Sequence, residues 1–180
     1  AANGVILITT KRGKSGQAKF TYGYQHIEQA PPTRLDVMDL RQYAQMVKEF
    51  HQVAGGNTPN EFLDPSILGA GTDWQKELFR WAPMNKHSLG VSGGTDKTKY
   101  FISGEYLDQR GIAIGSGFKR LSTRVNLDND LKNWLSLGIN LSFNQTNERL
   151  STSQENVISN AISNTPQIPV TNIDGTWGGG

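Results

Sequence analysis

The chain has no cysteine among its 180 residues, which excludes a disulfide framework and thiolate metal sites. It also has no run of about 18 consecutive apolar residues, so it encodes no helix able to cross a bilayer. A β-barrel is untouched by that absence, because it crosses with strands. Hydrophobic residues make up only 36% of the chain and glycine contributes 20 residues. That is lean for burying a core but ordinary for a barrel with a wet interior. The formal net charge is +2, so charge gives no support to a nucleic-acid partner. The basic cluster Lys11, Arg12 and Lys14 reads as a solvated turn.

Catalytic patterns are missing as well. His26, His51 and His87 are too far apart in sequence for a local H-x-x-x-H metal pair. Gly69-Ala70-Gly71 lacks a third glycine in register, and Gly94 to Thr98 lacks the Walker spacing, so neither is a phosphate cradle. Asp36 with Asp39, and Asp128 with Asp130, suit helix-cap and turn roles. No catalytic residue, metal ligand or cofactor is assigned, and no enzyme activity is expected.

What is present is alternation. Leu135, Leu137, Ile139, Leu141 and Phe143 alternate with Ser136, Gly138, Asn140, Ser142 and Asn144. Ten residues at about 3.3 Å each, tilted by about 45°, cover roughly 23 Å, close to the apolar band of a transmembrane barrel wall. Leu121, Thr123, Val125 and Leu127 likewise oppose Arg120, Ser122, Arg124 and Asn126, with 128–133 as a turn. Leu89 and Val91 alternate with Ser88, Gly90 and Ser92, and residues 93–96 turn the chain into Tyr100 to Leu107. In that strand Tyr100, Ile102 and Tyr106 share one face, Phe101, Ser103, Glu105 and Leu107 the other, and its facing stays open. Gln17 to His26 sets Phe20, Tyr22 and Tyr24 against Lys19, Thr21, Gly23 and Gln25. Five candidate wall strands result.

Short turns follow residues 92 and 128, whereas longer connections follow residues 27, 108 and 149. Short turns on one side and long loops on the other is the outer-membrane pattern. The longest connection carries helices of its own. One is expected from an N-cap at Asp36, with Leu40, Tyr43, Ala44, Val47 and Phe50 at helical spacing, to Gly55 and Gly56. A second starts at Thr72 with Gln75 three residues on, a capping-box pair. Val5 to Ile8 is a continuous apolar run that suits a strand buried on both faces. The chain opens at Ala1 without a signal-like segment and stops at Gly178, Gly179 and Gly180 in what reads as mid-loop, so it is expected to be part of a longer protein.

These residues carry a resemblance. AANGVILITTKRGKSG (Ala1 to Gly16) resembles the end of the plug domain in the TonB-linked outer-membrane proteins typified by SusC and RagA. The likeness continues through the helix ending at Val53, Thr72-Asp73-Trp74-Gln75, Leu89 to Gly94, Lys99-Tyr100-Phe101, Arg124 to Asp128 and Trp134 to Gly138. It reaches, more softly, the loop from Pro166 to Gly175. The resemblance implies an all-β fold: part of an antiparallel transmembrane barrel, with the last plug strand and helical extracellular inserts. Residues 1–15 would end the plug, and residues 16–180 would begin a barrel that has about 22 strands in such transporters. It further implies nutrient import, of glycans or peptides, across the outer membrane of a Gram-negative, Bacteroidetes-like bacterium. The implied partners are a SusD-like surface lipoprotein, the TonB–ExbB–ExbD complex acting through a region upstream of Ala1, an oligosaccharide or peptide substrate, and outer-membrane lipid.

Candidate binding residues on the lumen face are Arg120, Arg124, Asn126, Asn140 and Asn144, able to hydrogen-bond sugars or peptide backbone, or else to contact the plug. Trp81 and Trp177, in loop-like surroundings, can stack on a sugar ring or pack within their loops. Trp134, beside a short turn, suits an aromatic girdle. Two alternatives stand beside this reading. One is a soluble or surface-attached all-β carbohydrate-binding or adhesion module built as a sandwich. The other is the same barrel importing a metal chelate. Five wall strands alone would leave two open edges, which lipid does not tolerate. Residues 1–180 expressed alone are therefore expected to aggregate; a monodisperse, folded species in plain buffer would count for the soluble module.

Overall fold

A computed structural model describes Gly4, residues 11–150 and residues 157–178. The expected buried strand over Val5 to Ile8 lies outside the described residues. The described chain forms two compact units. One is a five-stranded antiparallel sheet in sequence order: β1 Gly16–Gln29, β2 Ala82–Gly94, β3 Thr98–Arg110, β4 Gly117–Lys132 and β5 Leu135–Arg149.

Every strand is longer than the alternation predicts, because the polar residues beyond each apolar core still pair in the ladder. β4, expected to end near Leu127, runs through the acidic stretch to Lys132. The β4–β5 turn thereby shrinks to Asn133 and Trp134, and the β2–β3 turn to residues 95–97. The connection after β3 is only residues 111–116, longer than those turns but far shorter than residues 30–81.

Register decides the facing that the sequence left open. Tyr22 pairs with Leu89, Leu89 with Gly104, Gly104 with Thr123, and Thr123 with Phe143. One row over, Phe20, Val91, Ile102, Val125 and Leu141 stand in line. Tyr100, Ile102 and Tyr106 therefore belong to the apolar face. That face is open to the surroundings: Phe20 is 76% exposed, Leu89 62% and Leu141 62%. The opposite face carries Lys86, Ser88, Glu105, Arg120, Arg124 and Asn144.

The second unit comprises residues 30–81, 112–115 and the described residues after 149. Helix α1 spans Leu40–Ala54, with Asp39 rather than Asp36 as its N-cap. Asp39 wins because Gln42 lies three residues on. The Asp39 carboxylate accepts from the Gln42 N–H at 2.8 Å, and the Gln42 amide oxygen accepts from the Asp39 N–H at 3.0 Å, a closed capping box. Gly55, at φ 73°, ends the helix in the left-handed region. Helix α2, Trp74–Leu78, is capped by Asp73 rather than Thr72. Gln75 has a different task from the expected one. It is buried, and its amide bonds both backbone groups of Leu35, at 2.9 and 2.8 Å. Helix α3 spans Val157–Ser163, and beyond it Thr165 accepts the Trp74 indole N–H at 3.1 Å.

Within the sheet unit, residues 11–13 lie against the polar face. A Cβ on Gly13 would stand 2.4 Å from both the nitrogen and the oxygen of the Tyr100 backbone. Gly13→Ala in the full-length protein is expected to cost about 1–3 kcal/mol, since the strain of overpacking must be relieved by lifting this segment. The check is the unfolding midpoint in detergent against wild type, and an unchanged midpoint would show the segment to be loosely held.

Candidate functional site

The polar face gathers the sequence-predicted residues. Arg120, Arg124 and Asn126 on β4 share it with Asn140 and Asn144 on β5, because Arg124 pairs with Ser142, Asn126 with Asn140 and Ser122 with Asn144. They do not act alike. Asn126 is 3% exposed and donates to the Lys11 carbonyl at 2.7 Å, so its amide is occupied by the segment preceding β1. Next to it the Arg12 guanidinium reaches the Asp128 carboxylate at 3.2 Å. Both pair members are partly solvated, so the ion pair contributes little by itself, while the buried amide bond and the close seat of Gly13 fix the path.

Farther along the strands lies a charged cluster that sequence reading missed. Arg120 donates to Glu105 at 2.8 Å, and Lys86 approaches the other carboxylate oxygen at 3.8 Å. Glu105 is thus held between cations from two neighbouring strands. The missing signal was facing: until β3 is registered, Glu105 cannot be assigned to the same side as Arg120. Beside this cluster an open depression of about 230 Å³ is lined by Ser88, Glu105, Ser122, Arg124, Ser142 and Asn144, among others. Its hydroxyls, amide and charged groups can donate to and accept from a polyhydroxylated or peptide ligand without bond-making chemistry. Among the described residues no group of three His, Cys, Asp or Glu side chains could hold a metal.

The loop tryptophans belong to the second unit. Trp81 is 63% exposed in the second unit. Trp177 closes a small turn, where its carbonyl accepts from the Asn172 amide at 3.2 Å and it bridges to Thr171. Asp174 holds that turn through the Thr176 hydroxyl at 2.7 Å and the Thr176 N–H at 3.0 Å. These bonds draw the Asp174 carboxyl below its ordinary range, the hydroxyl contributing most. Trp134 stands exposed at the β4–β5 turn with the Lys132 ammonium 5.4 Å from its ring centre.

No family model matches the chain. It is 30% identical over 188 residues to a TonB-dependent receptor of Formosa agariphila, covering 98% of this chain and 17% of the relative. It is 36% identical over 129 residues to the TonB-dependent receptor SusC of Bacteroides thetaiotaomicron, covering 71% of this chain and 12% of the relative. Among solved structures, the RagAB peptide importer in its open-open state superposes with a TM-score of 0.63 at 28% identity, over 78% of this chain and 19% of that one. The closed-closed state of the same importer gives a TM-score of 0.69 over 93% of this chain at 24% identity, a likeness of fold. The chain thus spans under a fifth of the length of the curated relatives it matches.

The two kinds of polar residue separate by mutation. Asn126→Ala is expected to cost about 1–3 kcal/mol because it strands a carbonyl, whereas Asn140→Ala and Asn144→Ala, at exposed positions, should stay within about 0.5 kcal/mol. Thermal unfolding of the three full-length variants checks this; equal effects would refute the assignment of Asn126 to the segment before β1.

Proposed function

The chain belongs to the SusC/RagA family of TonB-dependent receptors, and from that premise we propose that it supplies the first wall strands of an outer-membrane nutrient transporter. Residues 1–15 end the plug and residues 16–180 begin the barrel and its extracellular loops. The observation that carries the reading is the sheet itself: one face apolar and exposed across five adjacent strands, the other lined with ions, amides and hydroxyls. A soluble sandwich would bury its apolar face. A barrel wall presents it to lipid and turns the polar face to the lumen.

Several details support this orientation. The two shortest turns lie at the end where β1 begins, as periplasmic turns do. Residues 11–13 lie on the polar side, where a plug would enter. Exposed Trp134 lies at the short-turn end, and Tyr24 and Tyr106 on the apolar face lie past the middle of the strands toward the other end, as interfacial aromatics do.

Transport then requires binding and gating only. Cargo is received beneath a SusD-like surface lipoprotein, the TonB–ExbB–ExbD complex in the inner membrane pulls on the plug, and a path opens along the polar face. Arg120, Arg124, Asn140 and Asn144 are proposed to line that path, with Asn126 holding the plug side; Trp81 and Trp177 are proposed as loop aromatics able to stack on a sugar ring. Glycans and peptides both suit the hydrogen-bonding groups, and the likeness to a peptide importer favours neither decisively, because SusC is the more similar in sequence.

Because this chain has no cysteine, single cysteines placed in it report cleanly once any others in the full-length protein are removed. Spin labels at Leu137, Leu141 and Phe143 are expected to relax with oxygen dissolved in lipid, and labels at Ser142 and Asn144 with a water-soluble nickel chelate. Water access to both sets would rule out the barrel wall.

A further inference from the structure

The apolar face changes character toward the end remote from the short turns. There Tyr22, Tyr24, Asn85, His87, Tyr106 and Asp108 line an open groove of about 560 Å³. The groove is built rather than incidental. The Tyr22 hydroxyl bonds the His87 Nδ1 at 2.9 Å, and the Tyr24 hydroxyl donates to the Asn85 side-chain Oδ1 at 2.9 Å. The Tyr24 and His87 rings lie 4.9 Å apart, centre to centre. Three strands thus hold a fixed wall of rings edged by an amide and a carboxylate.

The rows on either side define what fits. On the side toward the short turns, in the row next to Tyr22, stand Phe20, Ile102 and Leu141, exposed and apolar. On the other side Asp108 pairs with Lys119 at 3.1 Å. Beyond it Arg110 and Arg149 flank Gly117 on the same face, since Gly117 pairs with both. Moving along the strands, a ligand therefore meets hydrocarbon, then aromatic rings with hydrogen-bonding groups, then guanidinium groups. Rings edged by amide and carboxylate groups suit a sugar, and arginines suit phosphate. Clustered basic residues alone would mark a simple anionic headgroup, but here the groove proper is aromatic and its carboxylate takes up the nearest lysine.

We propose that this outward groove binds the phosphorylated sugar headgroup of an outer-leaflet glycolipid, whose acyl chains lie along Phe20, Ile102 and Leu141. The site rests on the barrel-wall reading, which puts this face against lipid. A free sugar would make no use of the apolar rows, and a simple phospholipid would make none of the rings.

The test uses full-length receptor purified in detergent and mixed with rough lipopolysaccharide, with bound glycolipid counted by native mass spectrometry. Tyr24→Ala combined with His87→Ala, and separately Arg110→Gln combined with Arg149→Gln, are each expected to lower retention about tenfold, the scale of losing a few hydrogen bonds and a stacking contact. Leu137→Ala, on the same face at the short-turn end, should retain wild-type levels. Tyr24→Phe with Tyr106→Phe keeps the rings and serves if the alanine pair does not fold, as judged by heat-modifiable migration. The core oligosaccharide without lipid A should bind at least about tenfold more weakly, since it loses the buried acyl chains. Wild-type retention in the folded variants would overturn the proposal, as would equal binding of the free oligosaccharide or a change only in oligomeric state. Protein that enters the outer membrane yet retains no glycolipid would sink the groove alone; protein that never enters it would sink the barrel reading beneath.

Discussion

The strand register governs everything else in the sheet. Side chains alternate with a period of two, so a slip of one residue in any of the four pairings would exchange that strand's faces. The observed ladders instead keep Phe20, Val91, Ile102, Val125 and Leu141 in a single row. Each strand alone is only modestly apolar. Summed across the row, they make a surface that water does not solvate well, backed by one that it does. The lean composition of the chain follows from this division, because a two-faced wall spends its apolar residues on one side and needs no interior of its own.

The same register determines what the polar face can do. Glu105 meets Arg120 and Lys86 only because β3 is set so that Ser103 and Glu105 align with Arg124 and Ser122. The segment before β1 enters this face at its other end, through the Asn126 amide, the Arg12 pair and the bare backbone of Gly13. The polar side therefore has two regions, one occupied by the chain itself and one left open around Arg124 and Asn144. That partition turns a list of polar residues into a layout: Asn126 is held by the segment before β1, while Arg124, one row away, and Asn144 line the open depression.

Much of this was legible in the residues. The alternation from Leu135 to Asn144 located β5 to within its polar extension, and the hairpins expected with turns at residues 93–96 and 128–133 are both present, turning at residues 95–97 and 133–134. Strand ends were not legible, because polar residues such as Asp128 and Asp130 pair as well as apolar ones once a neighbour is present, and sequence alone does not supply the neighbour. Facing in β3 stayed open for the same reason: Glu105 and Tyr106 are ambiguous until Leu121 and Arg120 stand beside them. The helix starts slipped because Asp36 and Thr72 have the right chemistry for caps, while Asp39 and Asp73 have it with the right geometry. Gln75 looked like half a capping box, yet its amide serves the Leu35 backbone, a tertiary contact that no local pattern announces.

The connection between β1 and β2 bears on how such a wall assembles. Gln29 and Ala82 are partners in the ladder although residues 30–81 separate them, whereas β2, β3, β4 and β5 are joined by only a few residues each. The later hairpins have little chain entropy to lose on closing, and the first has much more. A connection that carries its own capped helices and the Gln75–Leu35 clasp has already surrendered much of that freedom before its ends meet. The helical insert thus acts as a pre-formed spacer, and β1 is the strand whose docking waits on a separate folding event. An order of assembly is implied in which the meander from β2 to β5 forms locally and its leading edge is closed last.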